Sequence, residues 1–367
     1  MTFILSHAEA LKRYQPVFAG AHRVPGLKLP QDRVVIANRG GLSGRAEELL
    51  FRRFRIAGRL AADLDKFRPR LVHAHFGLSG PAALTLADAL GVPLIITYHG
   101  RDATIADEEV RKSWLGREYV RGREAAVRKA GLIIAVSDFI RKQLLTKGYP
   151  DSKVVVHRNG INTSYFRYTG QEREPVVLFV GRFVQKKGCE YLLHALGQLR
   201  YEGHPVRAVL IGDGPFRPTL EKLATDVGAD VNFAGFLPLE EVRDWLGRAT
   251  VVAVPSVTAT DGDCEGLPTV ILEAQAMGTP VVATRHAGIP EGVLENRSAL
   301  LVTERDVAGL AQAIRFFIEK PEAVSSFGAA GRAFVESRFD IVTQTRGLED
   351  LYDRVRKRAE ATGKAEA

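Results

Sequence analysis

The sequence predicts an α/β protein built on two doubly wound parallel sheets, and three observations lead there. Short runs rich in Val, Ile and Leu alternate with helical patterns through both halves of the chain, the signature of strands joined by helical crossovers. A length of 367 residues at 46% hydrophobic content suffices for two separate cores. Between two sets of strands lies the polar stretch RNGINTSYFRYTGQEREP, which has turn-forming residues and no clear periodicity, as a connector should.

In chain order, the first half offers strands at 34–37, 71–75, 94–98, 132–136 and 154–157. The second half offers 176–180, 208–211, 231–234, 251–254, 281–283 and 299–302. Three helical stretches follow residue 302, the last around 341–358, and the closing TGKAEA reads as disordered. The expected division is 1–168, 169–340, and a carboxyl-terminal helix and tail at 341–367. No internal repeat of short period is present.

Composition excludes several classes. No apolar run approaches the length needed to span a bilayer, and MTFILSHAEALKR has too short an apolar stretch and no small-residue cleavage site for a signal peptide. The expected location is therefore the cytoplasm. Two cysteines, Cys189 and Cys264, are too few for a disulfide framework or a zinc site and read as small packing residues.

Charge is uneven: 28 Lys and Arg against 15 Asp and Glu up to Tyr168 (+13), then 23 against 28 (−5). Much of the excess falls in two predicted helices, one with Arg45, Arg52, Arg53, Arg55 and Arg59, the other with Arg111, Lys112, Arg117, Arg121, Arg123, Arg128 and Lys129. Phe51, Phe54, Ile56 and Leu60, and then Trp114, Leu115, Tyr119 and Val120, interleave apolar residues among those cations. A solvated helix face would carry such charge, but the combination points to an anionic membrane surface. Nucleic acid is not expected, because no recognition motif accompanies the charge.

The candidate chemistry centres on EGLPTVILE. Pro268 is expected to open a helix, with Glu265 and Glu273 at either end of its first two turns, about 12 Å apart at 1.5 Å per residue. The amides of Gly266, Leu267 and Thr269 then sit at the positive end of the helix dipole, where a phosphate binds. Other candidates follow strand ends, where open parallel sheets bind ligands: Gly181, Arg182 and Lys187 after one strand, and Gly212, Asp213 and Gly214 after the next. Phe236 and Leu237 follow a third. In the first half, His99, Gly100 and Asp102 end a strand, and His73 and His75 share one strand face. That histidine pair has no third ligand at metal-binding spacing, and Asp261-Gly-Asp263 lies in a loop already supplied with cations, so no metal is expected.

The Glu-x7-Glu spacing with this filling resembles the signature of the GT-B retaining glycosyltransferases of family 4. The resemblance extends through VVLFVGRFVQKKGCEYLLHAL, VLIGDGP, VNFAGFL, VVAVPSVTATDGDCEGLPTVILEAQAMGTPVVAT and ALLV, covering residues 176–302 in order. LVHAHFG at 71–77 and ITYHGRD at 96–102 resemble the bacterial exopolysaccharide branch. It implies two Rossmann-like domains facing across a cleft, an acceptor domain first and a nucleotide-sugar domain second, with the last helix crossing back. By position, Arg182 and Lys187 would neutralise the donor diphosphate, Glu265 would position the sugar and Glu273 the ribose. Phe236 and Leu237 would border the base and His99 would sit beside the anomeric centre. His75, Gly100 and Asp102 would line the acceptor cleft, and His73 would pack.

The implied reaction is retaining transfer of a UDP-linked hexose to a saccharide or polyprenyl-linked saccharide in cell-surface polysaccharide synthesis, without cofactor or metal, at the inner face of the cytoplasmic membrane. The alternatives are a nucleotide-sugar epimerase of the same fold and a non-catalytic sugar-nucleotide sensor. An oxidoreductase is disfavoured, because neither half has a Gly-x-Gly-x-x-Gly turn with an acid about twenty residues on. The chain opens at MTFILSHAEAL, which resembles the helix after the family's first strand and Gly-containing loop. The sequence thus leads one to expect that this strand is missing, that an upstream start supplies it, and that the 367-residue form is the less stable and less active.

Overall fold

The computed structural model describes residues 2–23 and 29–363, so that the last four residues of the tail lie outside the described region. The chain divides into two compact units, Met1–Arg158 with Val342–Ala367, and Asn159–Ile341. Strands of the first unit are β1 (Phe18–Gly20), β2 (Val34–Ile36), β3 (Val72–His75), β4 (Leu94–Tyr98), β5 (Leu132–Ala135) and β6 (Val154–Val156). Those of the second are β7 (Glu174–Val180), β8 (Arg207–Ile211), β9 (Val231–Gly235), β10 (Ala249–Val254), β11 (Val281–Thr284) and β12 (Ala299–Val302).

The second unit holds one six-stranded sheet in the order β12-β11-β10-β7-β8-β9, every pair parallel. The chain runs outward from β7 to β9, returns to the centre at β10, and runs outward the other way. Loops leaving β7 and β10 therefore diverge at the carboxyl end of the sheet, and a crevice forms where such divergence occurs. The sheet is apolar on both faces, as a parallel sheet covered by helices must be. Val176 and Leu178 enter one core with Val252, Ile271 and Leu272, while Val177 and Phe179 enter the other with Leu192, Leu196 and Phe317. Each such burial contributes roughly 1.5–3 kcal/mol.

In the first unit the central sheet has the order β3-β4-β5-β6, again parallel. All five residues of β4 are buried. The helix Ile341–Gly363 lays Leu348, Tyr352 and Val355 against Ile95, Leu132 and Ile134 on one face of this sheet. Ser137 caps the helix Asp138–Thr146, its side chain accepting from the Ile140 amide at 3.2 Å.

Among the described residues β1 and β2 pair only with each other, in a separate two-stranded sheet over a small core of Val35, Ala37, Phe51, Leu60, Leu64 and Leu86. β1 is a strand the pattern does not announce, because three residues ending in glycine are too short to show alternation. The first basic stretch is not one helix. Gly41–Phe54 ends at Arg55, which adopts the left-handed conformation (φ 57°), and Gly58–Asp65 starts afresh, so Arg55 and Arg59 lie outside the first helix. The second stretch likewise divides into Asp107–Arg111 and Trp114–Lys129, the latter capped by Ser113. No helix among the described residues is long and apolar enough to cross a membrane.

Candidate functional site

In the second unit the functional candidates gather where β7 and β10 part. Gly181 follows β7, and Gly212 follows β8 with φ 134°. A Cβ on Gly212 would lie 1.9 Å from the Gly181 carbonyl oxygen, so the two strand ends meet backbone to backbone only because residue 212 is glycine. Asp213 turns back onto the Gly214 amide at 2.6 Å and pairs with Arg217 at 3.2 Å, which makes it a brace for the loop. The turn Gln185–Lys187 is tied to the loop after β10 by the Val257 amide on the Lys186 carbonyl (2.9 Å), by Thr260 on Gln185 (3.0 Å) and by an ion pair between Lys186 and Asp263 (2.9 Å). Asp263 is committed to that pair, and Asp261 accepts from the Asp263 amide at 3.0 Å.

Lys187 reaches the buried carboxylate of Glu265 at 2.8 Å. Burial would raise the Glu265 pKa, but the ammonium groups of Lys187 and Lys186 outweigh it and hold the carboxyl below its ordinary value. Glu273 behaves oppositely. Burial dominates, the Thr269 hydroxyl and the more distant Lys187 compensate only in part, and the pKa is pushed up to about 7. Lys187 thus acts on both acids, one ionised and one holding a proton near neutrality. Arg182 is exposed and makes no ion pair among the described residues, so the second cation is free to meet an anion.

The helix that separates the two acids is Thr269–Ala276, one residue later than the sequence implies. Pro268 has ψ 121° and stays extended as the N-cap, so Glu265 lies in the preceding loop and the expected 12 Å along a helix axis does not describe the pair. Leu267 anchors this loop by burying its side chain in the core, beside buried Gly266 and Pro268. Phe236 is 77% exposed at the end of β9, while Leu237 packs inward. A recess of about 440 Å³ lined by Gln171, Arg173, Pro175 and Arg248 opens at the start of β7, the opposite end of the sheet from all of these residues.

In the first unit, the parallel register of β3 and β4 sets His75 opposite Thr97, and His99 follows β4. His73 is held on both nitrogens, by Tyr352 at 2.6 Å and Thr97 at 2.7 Å, and so serves the packing. His75 Nδ1 and His99 Nε2 share a hydrogen bond at 3.2 Å. His99 lies between the rings of Phe3 (5.0 Å) and Phe76 (4.7 Å), and its Nδ1 is buried without a partner among the described residues. Phe76 adopts φ 67° and ψ 129°, a strained conformation for a bulky residue that brings its ring to His99. Burial pushes the His75 pKa down to about 3 and that of His99 well below its ordinary value, so both rings are neutral. Asp102 departs from the expected acceptor lining. It is buried, and its carboxylate accepts from the amides of Gly77 (2.7 Å), Gly100 (2.9 Å) and His99 (3.1 Å), bracing the two strand-end loops, with Gly100 itself buried. Burial nonetheless keeps its pKa raised.

Sequence reasoning missed Gln185, Lys186, His286 and Glu304, which hold the site loops, and Phe76, which packs on His99. Their one sequence signal is position just beyond predicted strands, and many residues share it.

Two parallel-sheet Rossmann-like units with such residues beyond their strand ends define a protein of GT-B architecture. The chain belongs to glycosyltransferase family 4: residues 2–165 match the model described as Glycosyltransferase Family 4, and residues 174–320 match that described as Glycosyl transferases group 1. It is 35% identical over 259 residues to the putative colanic acid biosynthesis glycosyltransferase WcaL of Escherichia coli, covering 68% of this chain and 62% of that protein. Identity to the amylovoran biosynthesis glycosyltransferase AmsK of Erwinia amylovora is 30% over 304 residues, 81% of this chain and 73% of that one. The chain thus spans somewhat under two thirds of the colanic acid relative. Among solved structures, Anabaena Alr3699/HepE in complex with UDP and glucose superposes with a TM-score of 0.70 at 22% identity, over 88% of this chain and 85% of that chain, a likeness of fold.

Proposed function

We propose that this protein transfers a hexose from a nucleoside diphosphate sugar, UDP-linked, to a saccharide or lipid-linked saccharide in exopolysaccharide synthesis, with retention at the anomeric carbon. The observation that carries this reading is the Lys187–Glu265 ion pair at the sheet's switch point, with Glu273, whose pKa of about 7 leaves it able to ionise, under the influence of the same Lys187, and with Arg182 making no ion pair among the described residues. A diphosphate arriving there finds two cations and a helix amino terminus, and draws Lys187 from Glu265, whose carboxylate is released to sugar hydroxyls. Glu273 suits a ribose, which offers a hydroxyl pair to an ionised carboxylate. Exposed Phe236 offers a face to the base.

In the reaction the bond from the anomeric carbon to the diphosphate oxygen breaks and one from the acceptor oxygen forms on the same face. The departing phosphate takes the acceptor proton. Arg182 and Lys187 stabilise the charge that develops on the diphosphate. These fixed cations do the work of a metal, so excess EDTA should leave turnover intact; loss of activity that manganese restores would return Asp261 and Asp263 as ligands. Membrane attachment at the inner face of the cytoplasmic membrane belongs to the same proposal.

Relatives support the donor class: the HepE structure holds UDP and glucose, and a mannosyltransferase of Mycolicibacterium smegmatis, 31% identical over 293 residues, is named as GDP-mannose-dependent. Thermal shift against UDP, GDP and ADP sugars decides the base, and stabilisation by none of them would refute the donor reading. Calorimetry on Glu273→Ala should show UDP binding weakened by roughly 1.5–3 kcal/mol, whereas Glu265→Ala should chiefly lower turnover.

A further inference from the structure

We propose that His286 and Glu304 form a positioning dyad that fixes the Glu265 loop, an inference that rests on the sugar-holding role given to Glu265 above. The geometry starts in the sheet. β11 and β12 pair with Thr284 opposite Val302, so the residues two beyond each strand end, His286 and Glu304, emerge side by side. Glu304 Oε1 lies 2.7 Å from His286 Nδ1, and His286 is 1% exposed. On the other side of the ring, the Glu265 amide donates to His286 Nε2 at 3.2 Å.

A backbone N–H can only donate, so Nε2 must be the bare nitrogen and Nδ1 must carry the proton that Glu304 accepts. The carboxylate thereby selects the one neutral tautomer that can receive the Glu265 amide. Glu304 also accepts from the Thr258 amide at 2.9 Å, and Arg305 donates to the Thr258 carbonyl at 2.9 Å. Both ends of the loop between β10 and the helix Thr269–Ala276 are thus held from the neighbouring strands. Burial would raise the Glu304 pKa, but the Thr258 amide and His286 more than offset it.

The backbone independently marks the pair. Ala287, directly after His286, has φ 48°, and Arg305, directly after Glu304, has φ 65°. Non-glycine residues at positive φ cost of order 1 kcal/mol or more each, and two such residues flanking one hydrogen-bonded pair indicate that its placement is worth that strain. The Glu265 carboxylate reaches Lys187 because its own amide is pinned here. The dyad touches no substrate and acts through the loop.

The test uses the full chain with UDP-glucose as the probe, in four variants: His286→Leu, His286→Gln, Glu304→Ala and Glu265→Gln. Imidazole ¹⁵N spectra of the unmodified protein should show His286 as the Nδ1–H tautomer, and an Nε2–H ring would overturn the proposal. His286→Leu and Glu304→Ala should lower kcat at least tenfold with KM and the calorimetric UDP affinity within about twofold. His286→Gln, which restores an acceptor to the Glu265 amide, should recover most of the loss. Unchanged kcat in His286→Leu alongside a large loss in Glu265→Gln overturns the dyad. Full turnover in Glu265→Gln overturns the Glu265 assignment instead, and the spectrum still decides whether Nε2 takes the amide.

Discussion

Glu273 holds its proton into the neutral range because burial outweighs the help of Thr269 and Lys187, and this sets two pH dependences of opposite sense. Its ionised form is the one that accepts a ribose hydroxyl pair, so UDP should bind about tenfold more weakly at pH 6 than at pH 8, from proton competition at a pKa of about 7. Calorimetry across that range should show the slope, and Glu273→Gln should flatten it. Stability runs the other way. Between the ordinary value of 4.5 and about 7 the folded chain keeps a proton that the unfolded chain has released, so stability falls as pH rises through that window. Since the side chain keeps part of its surface open to solvent, the cost is screened to roughly 1–2 kcal/mol. Glu273→Gln should therefore raise the melting temperature at pH 8 and leave it nearly unchanged at pH 4. Such residues were legible in the sequence because motif spacing places Arg182, Lys187, Glu265 and Glu273 beyond strand ends. The partners that set their protonation were not, since His286 lies 21 residues from the Glu265 amide it receives and Lys186 lies 77 from Asp263. Only the folded sheet brings those positions together.

At the scale of elements, the helices Gly41–Phe54 and Trp114–Lys129 meet on one surface. Arg52 lies over the Trp114 ring at 5.7 Å, and Arg55 donates to the Glu118 carbonyl at 3.2 Å. Of the apolar residues interleaved with the cations, Phe51, Leu60 and Tyr119 are buried in cores and cannot face a membrane, while Phe54 (59%), Ile56, Trp114 and Leu115 are exposed, as are Leu42 (85%), Leu49 and Leu50 of the first helix. Apolar residues of that size among cations fit an anionic lipid surface better than water. Binding to vesicles should rise with anionic lipid content and fall with salt, and Leu42→Ser with Phe54→Ser should weaken it without altering UDP affinity. Equal binding to neutral vesicles would refute the electrostatic part. The strands that seat the candidate residues were readable from their Val, Ile and Leu runs to within a residue or two. The start of the helix Thr269–Ala276 was not, because Pro serves equally as first residue or as cap and only ψ distinguishes them. Nor was the helix break at Arg55, where no glycine or proline announces the left-handed turn.

Across the whole molecule, the residues proposed to hold the nucleoside diphosphate sit in the unit Asn159–Ile341, which is continuous in sequence and has two cores of its own. A polypeptide of residues 159–341 should fold cooperatively and bind UDP with affinity close to that of the full chain. A folded fragment that fails to bind would show that donor recognition needs residues of the other unit. That other unit is discontinuous, closed by the helix Ile341–Gly363 through Leu348, Tyr352 and Val355, so its stability depends on both ends of the chain.

That β1 and β2, among the described residues, pair only with each other bears on how the first unit breathes. A sheet transmits cooperativity through its ladder, and here the ladder is interrupted between the β1–β2 pair and β3. The small core of Phe51, Leu60, Leu64 and Leu86 beneath that pair is then left to hold it in place. Opening of β1, β2 and the helices Gly41–Phe54 and Gly58–Asp65 should consequently occur as a separate sub-global event below the energy of global unfolding. Native-state hydrogen exchange should show β2 amides exchanging well before those of β4 and β5, and limited proteolysis should cut first in this segment. Because the segment also carries the exposed leucines and arginines of the proposed lipid-facing surface, anionic vesicles that bind there should slow its exchange selectively, making a local unfolding equilibrium the reporter of contact with the membrane.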